Sequence, residues 1–282
     1  MLQQRFPAMG TGVVAVAATA AGLDATRRLF ASVEACCSRF RADSDLSRAN
    51  TDPGEAVRVT PLLAEALQAA SLVRRLTGGL VDAAVGRAVQ AWGYDRTFSA
   101  IRDLADAPAS PAGAPEWEID GATLRRPPGA LLDLGGSAKG WAADRAVEAG
   151  FAAVVSAGGD VRSADPRTRV EVLGMGGGVA ATLHLGTGAL ATSSTLRRRW
   201  RAGGVEASHL IHPRTGAPAC SPVVSATAVA ATALEAEAGA KAVLLQGEDG
   251  LAWADRQPWL LGALVVWHDG SVFATTRMDV AA

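Results

Sequence analysis

Apolar residues recur at three- and four-residue spacing from Leu23 to Phe40 (LDATRRLFASVEACCSRF), placing Leu29, Val33, Cys36 and Cys37 on one face and Arg27, Arg28 and Glu34 on the other. That spacing predicts an amphipathic helix. Leu62–Thr77 repeats it behind Thr60 as N-cap and Pro61 at the first helical position, where the missing N–H costs nothing, and Gly78-Gly79 ends it. Leu80–Tyr94 reads as a shorter helical segment finishing at Gly93, and Leu234–Leu245 as a last helix with Glu237 and Lys241 four apart on one face.

Strand patterns fill most of the rest. Val13–Thr19 is entered through a tight turn at Met9–Thr11; Trp117 and Ile119, then Ala122 and Leu124, alternate around Gly121; Val170–Leu173 and Val179–Leu185 face each other across Gly174–Gly178. Ala189–Ser194 reads as a strand end or turn, and Val223–Ala230 and a closing pair, Leu260–Trp267 with Val272–Thr276 around Asp269-Gly270, complete the set. Arg41–Asn50 is polar and rich in side chains that bond locally to backbone, so it reads as a loop, as does most of 96–130.

The stretch around which the chain is organised is Leu131–Ala149, LLDLGGSAKGWAADRAVEA. Leu131–Leu134 has strand character, Gly135–Gly140 is a glycine-rich turn, and a helical pattern follows through Trp141, Ala142, Arg145, Ala146 and Ala149. Glycines let backbone approach a ligand, the first amides of a helix point outward, and Lys139 adds a full charge beside them; a phosphate or pyrophosphate is the natural guest. Neither G-x-x-x-x-G-K-[ST] nor G-x-G-x-x-G is present, so nucleotide-loop templates do not account for the turn. Ala152–Ser156 then reads as a buried strand running into Ala157-Gly158-Gly159-Asp160, which makes a βαβ-like unit.

Composition narrows the classes. With 27 basic and 28 acidic residues the formal charge is −1, which gives no electrostatic reason for nucleic acid or a membrane surface, and the run Leu196–Arg201 (LRRRWR) reads as a solvated strand or loop face. Cys36, Cys37 and Cys220 form neither a metal spacing nor a disulfide framework. Gly12–Gly22 superficially looks like the apolar stretch of a signal peptide, but Arg5 is the one basic residue before it and no lipid-accepting Cys follows; it reads as a buried strand, and the protein as cytoplasmic without a membrane anchor. At 282 residues the chain has room for one large domain or two ordinary ones.

Five turns, Met9–Thr11, Asp133–Gly140, Gly158–Asp160, Thr192–Ser194 and His209–Gly216, each set polar groups at a strand end, and together they suggest one cleft built from distant segments. FPAMGT at Phe6–Thr11, SRFRADSDLSRAN at Ser38–Asn50, GGLVDAAVGRAVQAWGYD at Gly78–Asp95, LDLGGSAKGWAADRA at Leu132–Ala146, SAGGDVR at Ser156–Arg162, ATSST at Ala191–Thr195 and HLIHPRTGAP at His209–Pro218 follow one another in order. In this the sequence resembles the ApbE-type FAD:protein FMN transferases over nearly its whole length.

The resemblance implies an α+β fold of mixed sheets with flanking helices, a single flavin-binding unit over 1–282 or two subdomains with the FAD cleft between them. It implies FAD lined by Met9, Gly10, Thr11, Asp133, Gly135, Gly136, Ser137, Lys139, Gly158, Gly159, Asp160, Ser193 and His209, with Lys139 near the pyrophosphate and His209 as base. It also implies transfer of FMN from FAD to a Thr or Ser hydroxyl of an acceptor protein, release of AMP, and magnesium on the pyrophosphate. Two readings from other classes use the same site: a flavin binder or carrier that has lost transfer, and an FAD pyrophosphatase with water as acceptor.

The sequence departs from the family pattern at three positions. His212 stands where the H-x-[IL]-D-P-x-T-G motif has Asp, and, counting back from Gly247, the family's metal-binding Asp and Thr fall on Glu237 and Lys241, while Ala138 would still offer its carbonyl. Magnesium takes hard oxygen ligands and repels an ammonium. Two expectations follow: either Lys241, paired with Glu237, takes the place of the metal, or Lys241 points to solvent and Glu237 holds magnesium.

Overall fold

The computed structural model describes residues 1–108 and 113–278; part of the 96–130 connection, residues 109–112, lies outside them. In chain order the strands are β1 (Leu2–Ala8), β2 (Thr11–Ala17), β3 (Ala56–Arg58), β4 (Glu118–Asp120), β5 (Thr123–Arg125), β6 (Val154–Ala157), β7 (Asp160–Ser163), β8 (Arg169–Leu173), β9 (Val179–His184), β10 (Gly188–Ser194), β11 (Arg199–Ala202), β12 (Val205–Ser208), β13 (Val223–Ala230), β14 (Leu260–Trp267) and β15 (Val272–Ala274). The helices are α1 (Ala20–Cys37), α2 (Asp45–Thr51), α3 (Pro61–Leu76), α4 (Gly86–Ala91), α5 (Ala138–Glu148), α6 (Ala233–Gln246) and α7 (Gly250–Asp255). The fold is α+β, with helices and antiparallel sheets, as expected. No helix among the described residues is long and apolar enough to cross a membrane.

The chain divides into two compact units. The first comprises Met1–Phe30, Lys139–Leu196 and the chain from Cys220 onward. Its sheet runs β1-β2-β6-β7-β10-β13-β14-β15, antiparallel at every pairing. Helix α6 packs across β10 and β13. It can lie close because its buried face is mostly Ala and Gly; a Cβ at Gly239 would meet Leu260 Cδ2 at 2.6 Å. The helix starts with a capping box, Thr232 to Glu235 and back.

The second unit comprises Ala31–Ala138 and Arg197–Ala219. It holds the small sheet β3-β5-β4 and the β11–β12 hairpin. Arg199, Trp200, Arg201 and Ala202 alternate exposed and buried, so of the two expected forms, strand or loop, this part of the basic run takes the solvated strand face. Trp92 and Trp200 anchor a core with Ala88, Val89, Ala202, Ala207 and Ile211. They are cross-linked: Trp200 Nε1 donates to the Trp92 carbonyl at 2.6 Å, and Trp92 Nε1 to the Gly216 carbonyl at 2.8 Å.

Four expectations are corrected. Leu131–Leu134 is in no sheet: Asn50 brackets Leu132 with a bond to its carbonyl and one from its N–H, both 2.9 Å, while Leu131 and Asp133 pair with Gly86 and Ala83. With no strand there, and with β6 antiparallel to both neighbours, no βαβ unit forms. Arg41–Asn50 is partly helical, because Ser44 caps α2 by accepting from Ser47 N–H at 2.9 Å. Leu80–Tyr94 breaks into a 3-10 turn at Ala83–Val85, capped by Asp82, followed by the short α4. The N-terminus also holds a strand, β1, whose Pro7 is tolerated because β1 lies at the sheet edge.

Candidate functional site

In the first unit two hairpins present their turns together. The β1–β2 turn has positive φ at both central residues, Met9 (53°) and Gly10 (68°), and the β6–β7 turn does the same at Gly158 (65°) and Gly159 (110°). Gly158 lies so close to the first turn that a Cβ would sit 2.5 Å from Thr11 Oγ1. Thr192 N–H donates to the Gly159 carbonyl at 3.2 Å, which sets the end of β10, with buried Ser193, beside the same turn. Met9, Gly10, Thr11, Gly158, Gly159, Asp160 and Ser193 are thus gathered at one end of the sheet.

Beside Asp160 stands a buried ionic cluster. Lys139 Nζ lies 2.5 Å from Glu237 Oε1 and 3.1 Å from Asp160 Oδ2; Lys241 Nζ lies 2.8 Å from the same Glu237 oxygen. Glu237 Oε2 accepts the Gly140 N–H at 2.9 Å. The Glu237 side chain is fully buried, whereas Lys139 and Lys241 keep 16% and 12% of theirs accessible. Lys241 therefore faces the cluster, not solvent. Burial by itself would raise the Glu237 carboxyl, but Lys139 and Lys241 outweigh it and hold it down at about 2. Burial raises Asp160, with Glu237 adding to the effect and Lys139 opposing it. For Lys139, burial opposes the charge but Asp160 and Glu237 outweigh burial, and its proton is held more tightly than usual. Lys241 is shifted the other way, by burial above all, with Glu237 only partly restoring it.

One residue of this region escaped the sequence reading. Asp144, buried on α5, accepts the Ala233 and Leu234 N–H groups at 2.7 and 2.9 Å and meets Arg162 Nε at 3.1 Å. It satisfies the first donors of α6 from a neighbouring helix. Burial pushes its carboxyl up to about 6 against the two amides and Arg162. The signal available was an Asp amid the small apolar residues of the α5 pattern, a position where an acid needs partners.

In the second unit Asp133 organises the glycine turn. Its Oδ1 accepts the Gly135 N–H at 2.7 Å, its Oδ2 meets Arg39 Nε at 2.6 Å, and the Ser137 and Ala138 N–H groups return to the Leu134 carbonyl. Gly136 continues this turn, and Ala138 is the buried first residue of α5. Arg39, also missed from sequence, has a side chain only 6% exposed and stacks 4.1 Å over the Phe40 ring and 4.8 Å over Tyr94. Tyr94 meets the half-buried His209 ring edge-on, with centroids 6.3 Å apart. His212 Nδ1 accepts the Arg214 N–H at 3.2 Å, the two-residue reach of an Asx turn, so this histidine does an Asp side chain's work in shaping the Pro213–Gly216 turn. Burial, with Arg214 adding, lowers its pKa and favours the neutral ring such an acceptor needs.

Magnesium does not fit these donors. Both Glu237 oxygens are engaged, one by two ammonium groups. Among the described residues no group of three or more His, Cys, Asp and Glu side chains is placed to hold a metal ion.

The sequence and the fold have counterparts among known proteins. A model of the ApbE family matches residues 9–264. The chain belongs to the ApbE family. Among relatives, an FAD:protein FMN transferase of Rhodobacter capsulatus is 35% identical over 251 residues, covering 80% of this chain and 46% of that protein. The chain thus spans about half the length of that relative. Another, from Vibrio cholerae serotype O1, is 29% identical over 282 residues, with 86% of this chain and 79% of the relative covered. Among solved ApbE structures, the protein of Thermotoga maritima superposes with a TM-score of 0.86 at 26% identity, over 98% of this chain and 97% of that one. The flavin transferase ApbE of Vibrio cholerae gives 0.76 at 25%, with the same coverage.

Proposed function

We propose that the chain is an FAD:protein FMN transferase, which moves FMN from FAD to a Thr or Ser hydroxyl of an acceptor protein and releases AMP. The observation that carries the reading is Lys139: a partly accessible ammonium on the first turn of a helix, directly after a glycine turn and fixed by two carboxylates. Such a group recognises a pyrophosphate. Names borne by relatives in the family support the same chemistry.

In this reading the acceptor oxygen attacks the phosphorus on the FMN side of the pyrophosphate. The bond from that phosphorus to the bridging oxygen breaks, and the bridging oxygen leaves with AMP. The hydroxyl proton passes to the His209 imidazole, the side-chain type whose ordinary titration lies nearest neutral pH. Lys139 offsets charge on the phosphate oxygens, and the Met9–Thr11 and Gly158–Asp160 turns shape the flavin-binding wall.

The test incubates the protein with FAD and a cell lysate lacking flavin transferase. Covalent flavin is read by in-gel fluorescence under denaturing conditions, and AMP by chromatography. Equal appearance of the two is expected, and His209→Ala should lower transfer by about 10²–10⁴-fold while FAD still binds. AMP without flavinylated protein would replace the reading with FAD hydrolysis; bound FAD with neither product would replace it with a flavin carrier.

A further inference from the structure

We infer that this chain carries its own substitute for a divalent cation: the Lys241 ammonium, seated on Glu237 beside Lys139, binds the FAD pyrophosphate and makes flavin binding independent of magnesium. The inference rests on the functional reading above and concerns the same site.

Three observations carry it. Both Glu237 oxygens are already engaged: Oε1 takes Lys139 at 2.5 Å and Lys241 at 2.8 Å, and Oε2 takes the Gly140 N–H at 2.9 Å. A magnesium ion at its usual distance of about 2.1 Å would have to expel an ammonium and then sit against the remaining one. Second, Lys139 is divided between Glu237 at 2.5 Å and Asp160 at 3.1 Å, so Lys241 supplies the second positive charge that balances the two carboxylates, and the cluster is neutral with no metal ion. Third, Lys139 and Lys241 share a single carboxylate oxygen, so their charges converge on one place and keep 16% and 12% of their side chains accessible. Two converging ammonium groups with residual accessibility form a receptor for a polyanion. The favourable Glu-to-Lys order four residues apart on α6 holds Lys241 on Glu237.

Calorimetric titration with FAD, once in magnesium and once in EDTA, tests the inference. The two dissociation constants should agree within about twofold, and Lys241→Met should weaken binding in EDTA by about tenfold or more. Lys241→Arg, which keeps the charge, should stay within about threefold of wild type and so separates charge loss from misfolding. As a direct probe, Mn²⁺ titrated into the FAD-free protein and followed by EPR should show no bound ion, whereas Lys241→Asp should bind it. FAD binding that disappears in EDTA and returns with magnesium, or a Lys241→Met protein that binds normally in EDTA, would overturn the inference and leave the functional reading standing. No FAD binding in either buffer would remove the functional reading and the inference with it.

Discussion

Gly140 and Ala233 meet backbone to backbone: a Cβ at position 140 would lie 2.6 Å from the Ala233 carbonyl oxygen. Helices α5 and α6 therefore touch at this point, and the contact sets how far Lys139 stands from Glu237. Gly140→Ala should push the helices apart and lengthen the Gly140 N–H bond to Glu237. A loss of about 1–3 kcal/mol in urea unfolding is expected, together with weaker FAD binding. Unchanged stability would mean that the two helices are free to shift.

Two of the buried carboxylates of this region, Glu237 and Asp144, should give the stability curve opposite slopes. Glu237 is held at about 2 against an ordinary 4.5, so its contribution is present above pH 4.5 and is lost as pH falls toward 2. Asp144 is raised to about 6 from 3.8, so the folded protein binds its proton more tightly; its contribution is whole below pH 3.8 and is lost as pH rises through 6. Glu237→Gln should flatten the acid limb and cost about 3–5 kcal/mol at neutral pH, because Lys139 and Lys241 lose their shared partner. Asp144→Asn should flatten the segment between 3.8 and 6. Urea midpoints measured across the acid range for the three proteins decide both.

Trp92 ties the histidine-bearing turn to its own core through the 2.8 Å bond to the Gly216 carbonyl. Trp92→Phe leaves that buried carbonyl unpaired and should cost about 1–3 kcal/mol. Gly216 N–H, which bonds the His212 carbonyl at 2.8 Å, should then exchange faster with deuterium. Trp200→Phe removes the bond to the Trp92 carbonyl, and because the two indoles form one chain of bonds the double variant should deviate from additivity by about 0.5 kcal/mol or more.

Strong local periodicity was readable in advance. Helix α3 begins where Thr60 and Pro61 demand it, β13 spans the expected Val223–Ala230, and β8 pairs with β9 across the glycine turn. Short segments were not readable in the same way. Leu131–Leu134 carries a strand-like run, yet its hydrogen bonds go to Asn50, Gly86 and Ala83, partners at distances along the chain that no window sees. Helix α2 depends on one cap, Ser44, inside a segment whose polarity reads equally well as loop.

The sequence by itself determined the family, the residues that carry charge and the spacing of Glu237 and Lys241, because side chains four apart on a helix meet whatever the rest of the chain does. It left open whether Lys241 faced inward. Tertiary structure decided that, and it decided that Lys139 meets Glu237 across 98 residues of sequence. The physical reason is Gly140: only a residue without a side chain lets α5 come near enough to α6 for an ammonium on one helix and a carboxylate on the other to form a single buried pair.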